Sequence, residues 1–270
     1  MKDIPLGQAT AYIDTYAPEL LAPVSRQPIR ESLGIQTLDM QGVDIWNIYE
    51  ASWLDGNGKP NIACLELSYP ADSPAIVESK SLKLYFNSMN QTKFETRTTY
   101  LNTIVKDVSE IVAAPVTLTE VQTLETAEQW LKEYSCIDNQ DVKISDYQPN
   151  PELLSGAFDA NNIVKEKLVS HLFKTNCMVT GQPDWGSVFI DYEGPQLERQ
   201  RLLAYLISFR DHQAFHEPSC EMIFDHLIRY CQPLALSVYC RYTRRGGIDI
   251  NPYRSTTAAT TPPNLRMLRQ

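Results

Sequence analysis

One of the six cysteines, Cys177, stands in a sequence context that suits a nucleophile. A thiol is the strongest neutral-pH nucleophile among side chains when a nearby base or positive field activates it. Asp184 follows seven residues later, beyond the turn-forming run Gly181-Gln182-Pro183. On one continuous strand this odd spacing would place the two side chains on opposite faces, but a reversal at the turn lets them converge. Asp184 would then donate and accept protons during the reaction.

Both residues also have simpler interpretations. A lone cysteine is most often a small buried apolar side chain, and an aspartate beside a turn often binds its own backbone. The cysteines show no CxxC pair and no zinc-ligand spacing, which predicts free thiols in a reducing compartment. The histidines form no persuasive ligand set with them, so we expect no metal. The six cysteines are Cys64, Cys136, Cys177, Cys220, Cys231 and Cys240, and the four histidines are His171, His212, His216 and His226.

Three short segments carry further candidate side chains. Ser79 or Ser81 can cap a helix beginning after Glu78, and a helix start with free amides and with Lys80 and Lys83 nearby suits a phosphate or the base-proximal part of a cofactor. The pair His216-Glu217 offers a carboxylate that can accept two hydrogen bonds from a guanine-like base edge. The third segment is the basic turn Arg244-Arg245-Gly246-Gly247. Read singly, each has a plainer explanation as a capped or solvated surface segment.

Hydrophobic periodicity predicts the elements that would position these residues. The predicted strands are Val43–Leu54, Ile62–Tyr69, Val116–Val121, Leu168–Thr180, Val188–Tyr192 and Leu234–Tyr242. The predicted helices are Leu82–Met89, Leu101–Ile111, Leu197–Phe209 and Glu221–Tyr230. Each half of the chain therefore has the order strand, strand, helix, helix, strand, which favours an α+β fold.

Sparse identities between the halves indicate an internal duplication. A shift of 123 residues aligns Gly58 with Gly181, and it places Leu54 and Asn61 opposite the two reactive residues of the second half. Only the second half thus has the candidate nucleophile and acid. We expect one composite site per chain, between two modules.

Composition limits the classes of function. The chain has 270 residues, 43% hydrophobic and 21% charged, which is ordinary globular usage. Its net charge of -9 argues against broad binding of nucleic acid, which needs a basic surface. The sequence has neither a long apolar span nor a signal-peptide pattern, so we expect a cytoplasmic protein that does not enter a membrane. No GxGxxG motif follows a strand, which argues against the common dinucleotide-binding fold.

Taken together, four motifs closely resemble the QueF family of NADPH-dependent 7-cyano-7-deazaguanine reductases, in its long bimodular type. They are Glu78-Ser79-Lys80-Ser81-Leu82-Lys83-Leu84-Tyr85, Cys177 with Gln182-Pro183-Asp184-Trp185-Gly186-Ser187, Phe215-His216-Glu217, and Tyr242 to Pro252. The resemblance covers nearly the whole chain and implies tandem tunnelling-fold (T-fold) modules, with antiparallel sheets, helices packed on one side, and a homodimer. Proline and polar residues without a sustained period predict an irregular N-terminal arm (1–40), and we expect a flexible tail (255–270). The two modules between them span 41–145 and 146–254.

The resemblance also implies the reaction and the residue roles. A nitrile is reduced to an aminomethyl group by two hydride transfers from two NADPH, in queuosine biosynthesis and on a free base rather than on tRNA. Cys177 attacks the nitrile carbon to form a thioimide, and Asp184 transfers protons. The implied substrate-binding residues are Val77, Glu78, Ser79, His216 and Glu217, and the implied NADPH-binding residues are Ser79, Lys80, Arg245 and Gly246.

Other functions remain open on the sequence alone. A thiol hydrolase acting on a nitrile or amide would use Cys177 without NADPH. A cyclohydrolase-like T-fold enzyme would need a metal, and a purine-binding module without catalysis would need neither Cys177 nor Asp184. A further hypothesis is a protective disulfide between Cys177 and Cys220 under oxidation.

Overall fold

A computed structural model describes residues 12–36, 40–122, 126–257 and 262–270. Its strands are β1 (Pro23–Ser25), β2 (Gln41–Leu54), β3 (Pro60–Pro70), β4 (Ala75–Val77), β5 (Thr117–Glu120), β6 (Ser135–Cys136), β7 (Phe158–Ser170), β8 (Lys174–Asn176), β9 (Pro183–Leu197), β10 (Ala235–Tyr242) and β11 (Ile248–Ser255). Its α-helices are α1 (Arg26–Ser32), α2 (Ser79–Ser88), α3 (Arg97–Val112), α4 (Glu128–Leu131), α5 (Arg199–Ser208) and α6 (His216–Cys231).

One sheet joins the two halves of the chain. Within the described ranges its strand order is β5-β3-β2-β11-β10-β9-β7-β6, with β8 paired to β9. Strands β2 and β11 meet antiparallel, so that Ile48 lies opposite Ile248 and Asn47 opposite Asp249. The pairing is antiparallel throughout except between β6 and β7, which run parallel. The predicted α+β class with antiparallel pairing is confirmed, apart from this short edge.

Successive side chains of a strand point to opposite faces of the sheet. The long helices cover one of these faces. Trp46 and Ile48 of β2 point into a core that α2 and α3 close, with Trp53 stacked on Tyr100 at 4.2 Å between ring centroids. A second core lies between β7, β9 and β10 and the helices α5 and α6. The short helix α4 packs on the opposite face near Phe189, so the helices are not all on one side.

Several sequence predictions about local structure are wrong. The predicted strand Leu168–Thr180 is interrupted: β7 ends at Ser170, and a turn follows β8 at Asn176. The segment 1–40 is not irregular throughout, since β1 and α1 pack onto the body of the protein. Residues 1–11 and 37–39 lie outside the described residues. Helix α6 begins at His216, five residues before the predicted Glu221, because apolar periodicity does not reveal a polar first turn.

The C-terminal residues are held against the sheet rather than loose. Gln270 donates to the carbonyl of Tyr242 at 2.9 Å and to the side chain of Asn251 at 2.8 Å, and Met267 is buried. Residues 258–261 of the predicted tail lie outside the described ranges. β11 is also absent from the predicted strands. Its first residues, Ile248 to Asn251, alternate between apolar and polar, but Pro252 and the polar residues after it interrupt the pattern, although every residue of the strand is buried.

The module boundaries at 41–145 and 146–254 remain our proposal. No helix in the described part of the chain is both long enough and apolar enough to cross a membrane.

Candidate active site

A tight hairpin brings Cys177 and Asp184 onto one face. Thr175 lies opposite Asp184 in the β8–β9 pairing, and the N–H of Cys177 donates to the carbonyl of Gln182 at 2.8 Å. Cys177 and Asp184 are therefore diagonal neighbours across the hairpin, a relation that lets side chains on the same face interact. Both are largely buried, at 7% and 6% exposure. The expected convergence across the turn is confirmed.

Arg245, from the turn between β10 and β11, joins the two groups. Its Nη1 lies 3.0 Å from Oδ1 of Asp184 and donates to the side chain of Gln182 at 3.2 Å. Its side chain is also close enough to Cys177 to lower the pKa of that thiol. A fixed cation thus lies between the candidate nucleophile and the candidate acid.

The surroundings of Cys177 favour its thiolate. Burial raises the pKa of this thiol, but hydrogen bonds from Thr180, Val179 and Arg245 outweigh burial and lower the pKa overall. These donors stabilise the negative charge on sulfur. The site therefore supplies a nucleophile without needing a separate strong base.

The pKa of Asp184 is shifted in the opposite direction to that of Cys177. Burial raises the pKa of its carboxyl group, and the positive charges of Arg245 and Lys83 only partly offset this. A raised carboxyl pKa keeps a proton available for donation, as a general acid requires. Two groups in one hairpin with opposed shifts are typical of an acid–nucleophile pair.

His216 closes this part of the site as a neutral ring. Burial, followed by the charges of Arg245 and Lys83, lowers its pKa to about 3. Its ring packs edge-on against the ring of Tyr242, with 4.0 Å between the ring centroids. Its Nε2 lies 4.0 Å from Oδ1 of Asp184. A neutral imidazole here can hydrogen-bond a ligand without adding charge.

Glu217, in the first turn of α6, is the least satisfied carboxylate near the site. It is 1% exposed, and among the described residues its Oε1 has no hydrogen-bond partner. Burial, followed by the charge of Asp44, raises its pKa to about 8. Buried polar atoms normally have partners, so this oxygen is placed to accept a hydrogen bond from a ligand.

The N-terminal half contributes the opposite wall. Glu78 caps α2, accepting from the backbone N–H groups of Lys80 and Ser81 at 2.8 and 2.7 Å. The expected cap by Ser79 or Ser81 is therefore wrong: the longer Glu78 side chain folds back over the helix end. Its oxygens keep further lone pairs for a ligand.

One small cavity links the halves of the chain. Ser79 and Lys83 of α2 line it together with His216, Thr243 and Arg245. Lys83 is also close enough to Glu78, Asp184 and Cys177 for their charges to act on it. Burial, with help from Arg245, nevertheless lowers the pKa of this lysine.

Val77 and Glu217 both border the same buried ring. The N–H of Val77 lies 3.4 Å from the hydroxyl oxygen of Tyr69, and burial together with the charge of Glu217 raises the pKa of that hydroxyl. The structure thus brings every sequence-predicted substrate residue to the junction of β4, α2 and α6.

The turn after β10 contains two glycines that let neighbouring side chains or a ligand approach the backbone closely. Gly246 and Gly247 have φ of 60° and 74°, a conformation that favours glycine. A Cβ at Gly246 would lie 3.2 Å from the Lys83 side chain, and one at Gly247 would lie 2.4 Å from Cδ of Glu50. Lys83 and Arg245 are therefore held side by side, as an anionic cofactor would need.

Cys220 does not face Cys177. Its sulfur points at the carbonyl oxygens of Pro252 and Val238, 3.4 and 3.7 Å away, and it interacts with Cys240. Both Cys177 and Cys220 are free thiols. The geometry argues against the disulfide hypothesis.

Among the described residues, no group of three or more His, Cys, Asp or Glu side chains is arranged to hold a metal. Sequence reasoning named Lys83 as a candidate partner of a phosphate but not among the site residues, and it missed the bridging position of Arg245. Lys83 lies one helical turn after Ser79 on the same face of α2.

Comparisons with known proteins give the family. Residues 12–120 match the family described as the N-terminal part of the nitrile reductase 7-cyano-7-deazaguanine reductase, and residues 183–261 match the family described as QueF-like protein. An NADPH-dependent 7-cyano-7-deazaguanine reductase of Ralstonia nicotianae is 49% identical over 98% of each chain. One from Azoarcus sp. is 48% identical over 93% of this chain and 90% of that protein.

Among solved structures, the apo archaeosine synthase QueF-Like aligns with a TM-score of 0.31 at 16% identity, over 36% of this chain and 96% of that one. The near-complete alignment with the two reductases shows that this chain belongs to the family of NADPH-dependent 7-cyano-7-deazaguanine reductases.

Proposed function

We propose that this chain reduces the nitrile of 7-cyano-7-deazaguanine to the aminomethyl group with two NADPH, using Cys177 as nucleophile, in queuosine biosynthesis. Family membership supports the reaction. The observation that carries the choice of residues is the hairpin in which Arg245 joins a thiol of lowered pKa to Asp184, whose pKa is raised.

The first step is addition of the Cys177 thiolate to the nitrile carbon. A carbon–sulfur bond forms, one π bond of the nitrile becomes a lone pair on nitrogen, and Asp184 donates a proton to that nitrogen. The product is a thioimide. Nitriles are weak electrophiles, and this covalent adduct is easier to reduce.

Reduction then needs two hydrides, which NADPH supplies when bound. Once the first hydride has added to the thioimide carbon, the carbon–sulfur bond breaks, the electron pair returns to Cys177 and an imine remains in the site for the second reduction. Asp184 transfers the protons to nitrogen, so that two hydrides and two protons convert the nitrile into a primary amine. Burial of the site excludes the water that would hydrolyse the imine.

Recognition of the base falls to the wall opposite the hairpin. The carboxylate of Glu217 would accept the ring N–H and the exocyclic amine of the deazaguanine, with neutral His216 beside it. Val77, Glu78 and Ser79 would contact the same base from the N-terminal half. The proposed site is therefore built from residues of both halves of the chain.

The residues present fit an anionic dinucleotide. The start of α2 carries Ser79 and Lys80, while the turn at Arg245 and Gly246 presents a second cation beside Lys83. Cations and helix amino-termini are the usual partners of phosphates. We propose that these residues hold NADPH.

A stoichiometry assay tests the proposed function. With purified protein and 7-cyano-7-deazaguanine, we expect two NADPH to be oxidised per nitrile consumed, followed by nicotinamide absorbance and by mass spectrometry of the amine. Conversion to an amide or acid without NADPH oxidation would favour the thiol hydrolase. Binding without any conversion would favour a non-catalytic purine-binding protein.

Replacing Lys80 by glutamine is expected to reduce the preference for NADPH over NADH. Loss of one cation near the extra phosphate removes a charge-assisted contact worth about 1.5 kcal/mol, so kcat/KM for NADPH should fall about tenfold. The value for NADH should change little. Lys143→Gln, at an exposed site between β6 and β7, is the matched control. Equal losses with both cofactors would show that Lys80 does not meet that phosphate.

The homodimer, the cytoplasmic location and the free base, rather than tRNA, as substrate also belong to this proposal. They rest on the family resemblance and on the acidic composition.

A further inference from the structure

A buried charge network lies directly behind Glu217 and reaches the N-terminal segment. Asp44 of β2 pairs with both Arg26 of α1 and Arg254 of β11. Glu221, one helical turn after Glu217 on α6, binds Arg254 with an N–O distance of 2.8 Å. Each of these five side chains belongs to a residue that is at most 4% exposed.

The backbone and neighbouring side chains fix Arg26 in this network. Its Nε donates to the carbonyl of Ser73 at 3.0 Å, and its backbone N–H donates to the carbonyl of Pro74. Its Nη1 also lies 3.4 Å from Oε1 of Glu221. These contacts hold the guanidinium of Arg26 in one position.

The charges of the network balance only when Glu217 is ionised. Its arginines are Arg26, Arg30 and Arg254, and its carboxylates are Asp44, Glu217 and Glu221. Asp44 and Glu221 accept hydrogen bonds from arginines, whereas Oε1 of Glu217 has no partner among the described residues. The network thus ends in one unpaired carboxylate oxygen at the substrate wall.

We propose that Arg26 is a positioning residue for substrate binding, which acts through its pair with Asp44 to keep Glu217 ionised and able to accept the base N–H groups. The inference rests on the proposed function. Arginine stays protonated in proteins, so Arg26 supplies a permanent charge. Without it, Asp44 would keep only its pair with Arg254, and more of its negative charge would act on Glu217 in a region of low dielectric.

The sign of the effect follows from the directions of the pKa shifts. Burial and Asp44 raise the pKa of Glu217 to about 8, while Arg26 and Arg254 lower it. The ionised form is present above that pKa and is lost as pH falls through it. Removing Arg26 should shift the pKa of Glu217 upward, and removing Asp44 should shift it downward. The other titratable groups that face Glu217 are Tyr69 of β3, and His216 and Glu221 on its own helix.

Substrate binding without covalent chemistry isolates Glu217. In a Cys177→Ala background, the dissociation constant of 7-cyano-7-deazaguanine is measured by calorimetry from roughly pH 6 to 10. We expect binding to tighten as pH rises through the pKa of Glu217. Arg26→Met should move this transition upward by about one pH unit and weaken binding about tenfold below it. Asp184 and Lys83 are unchanged across the series.

A double variant that restores the charge balance separates an electrostatic effect of Arg26 from an effect on packing. Arg26→Met with Asp44→Asn removes one charge of each sign and should return the transition towards the parent, while Asp44→Asn alone should move it to lower pH. The Asp44→Asn shift also tests the proposal if Arg26→Met fails to fold. The proposal is overturned if folded Arg26→Met keeps the parent transition, if the double variant behaves like Arg26→Met, or if Asp44→Asn causes no shift. Failure of the parent to bind the nitrile at any pH would contradict the proposed function itself.

Discussion

Replacing Cys177 by alanine is expected to abolish nitrile reduction while the protein stays folded. The thiolate forms the only covalent bond between protein and substrate in the proposed route, and the buried thiol of Cys220 points at the carbonyl oxygens of Pro252 and Val238 instead. Wild-type protein incubated with the nitrile without NADPH should gain the mass of one nitrile per chain, because addition of a thiol to a nitrile loses no atoms. Cys177→Ala should gain none.

An exposed cysteine provides the matched control. Cys64 is solvent-exposed, and Cys64→Ala should keep both turnover and the adduct. Peptide mapping identifies the modified residue. An adduct on another cysteine, two adducts per chain, or turnover by Cys177→Ala would show that this assignment is wrong.

The second large effect is expected from Asp184→Asn. Asparagine keeps the size of the side chain and can still accept a hydrogen bond from Arg245, but it cannot supply a proton. General acid–base catalysis contributes roughly 10² to 10⁴ in rate, so kcat should fall by about that factor. Thioimide formation, followed by mass spectrometry over time, should slow as well, since the nitrile nitrogen loses its proton donor.

The pH profile distinguishes loss of the acid from loss of structure. Because burial raises the pKa of Asp184, donation by this acid is available below that pKa and is lost as pH rises through it. The limb of the kcat profile that reports this group should disappear in Asp184→Asn. Asp141→Asn, at an exposed site, should leave the profile unchanged. An unchanged limb in Asp184→Asn would assign the proton to another group.

Local chemistry explains what the sequence predicted correctly. Strong alternation and helical periodicity predicted β2, β3, α2, α3 and α5 to within a few residues. The reversing run Gly181-Gln182-Pro183 predicted that two residues seven apart could share a face, and β8 and β9 pair in that way. Each signal depends on neighbours within about ten residues, which is the range that backbone geometry and turn chemistry govern.

The errors lie where long-range packing replaces local pattern. Leu168–Thr180 is apolar enough for one strand, yet strand β7 ends at Ser170. The separate short strand β8 follows and pairs with β9. The N-terminal segment has little periodicity, and the pairs of Arg26 and Arg30 with Asp44 and Glu221 hold its helix in place. Such partners lie far away in sequence, so no local window contains them.

The sequence by itself determined the reactive residue types, their motifs and the duplicated order of elements. Only the tertiary structure placed Arg245 between Cys177 and Asp184, and only it left Glu217 buried with an unpaired oxygen behind a balanced charge network. The physical reason is that a pKa depends on burial and on every charge within several ångströms. In this chain those charges come from α1, β2, α6 and β11, which adjoin only after the two halves share one sheet.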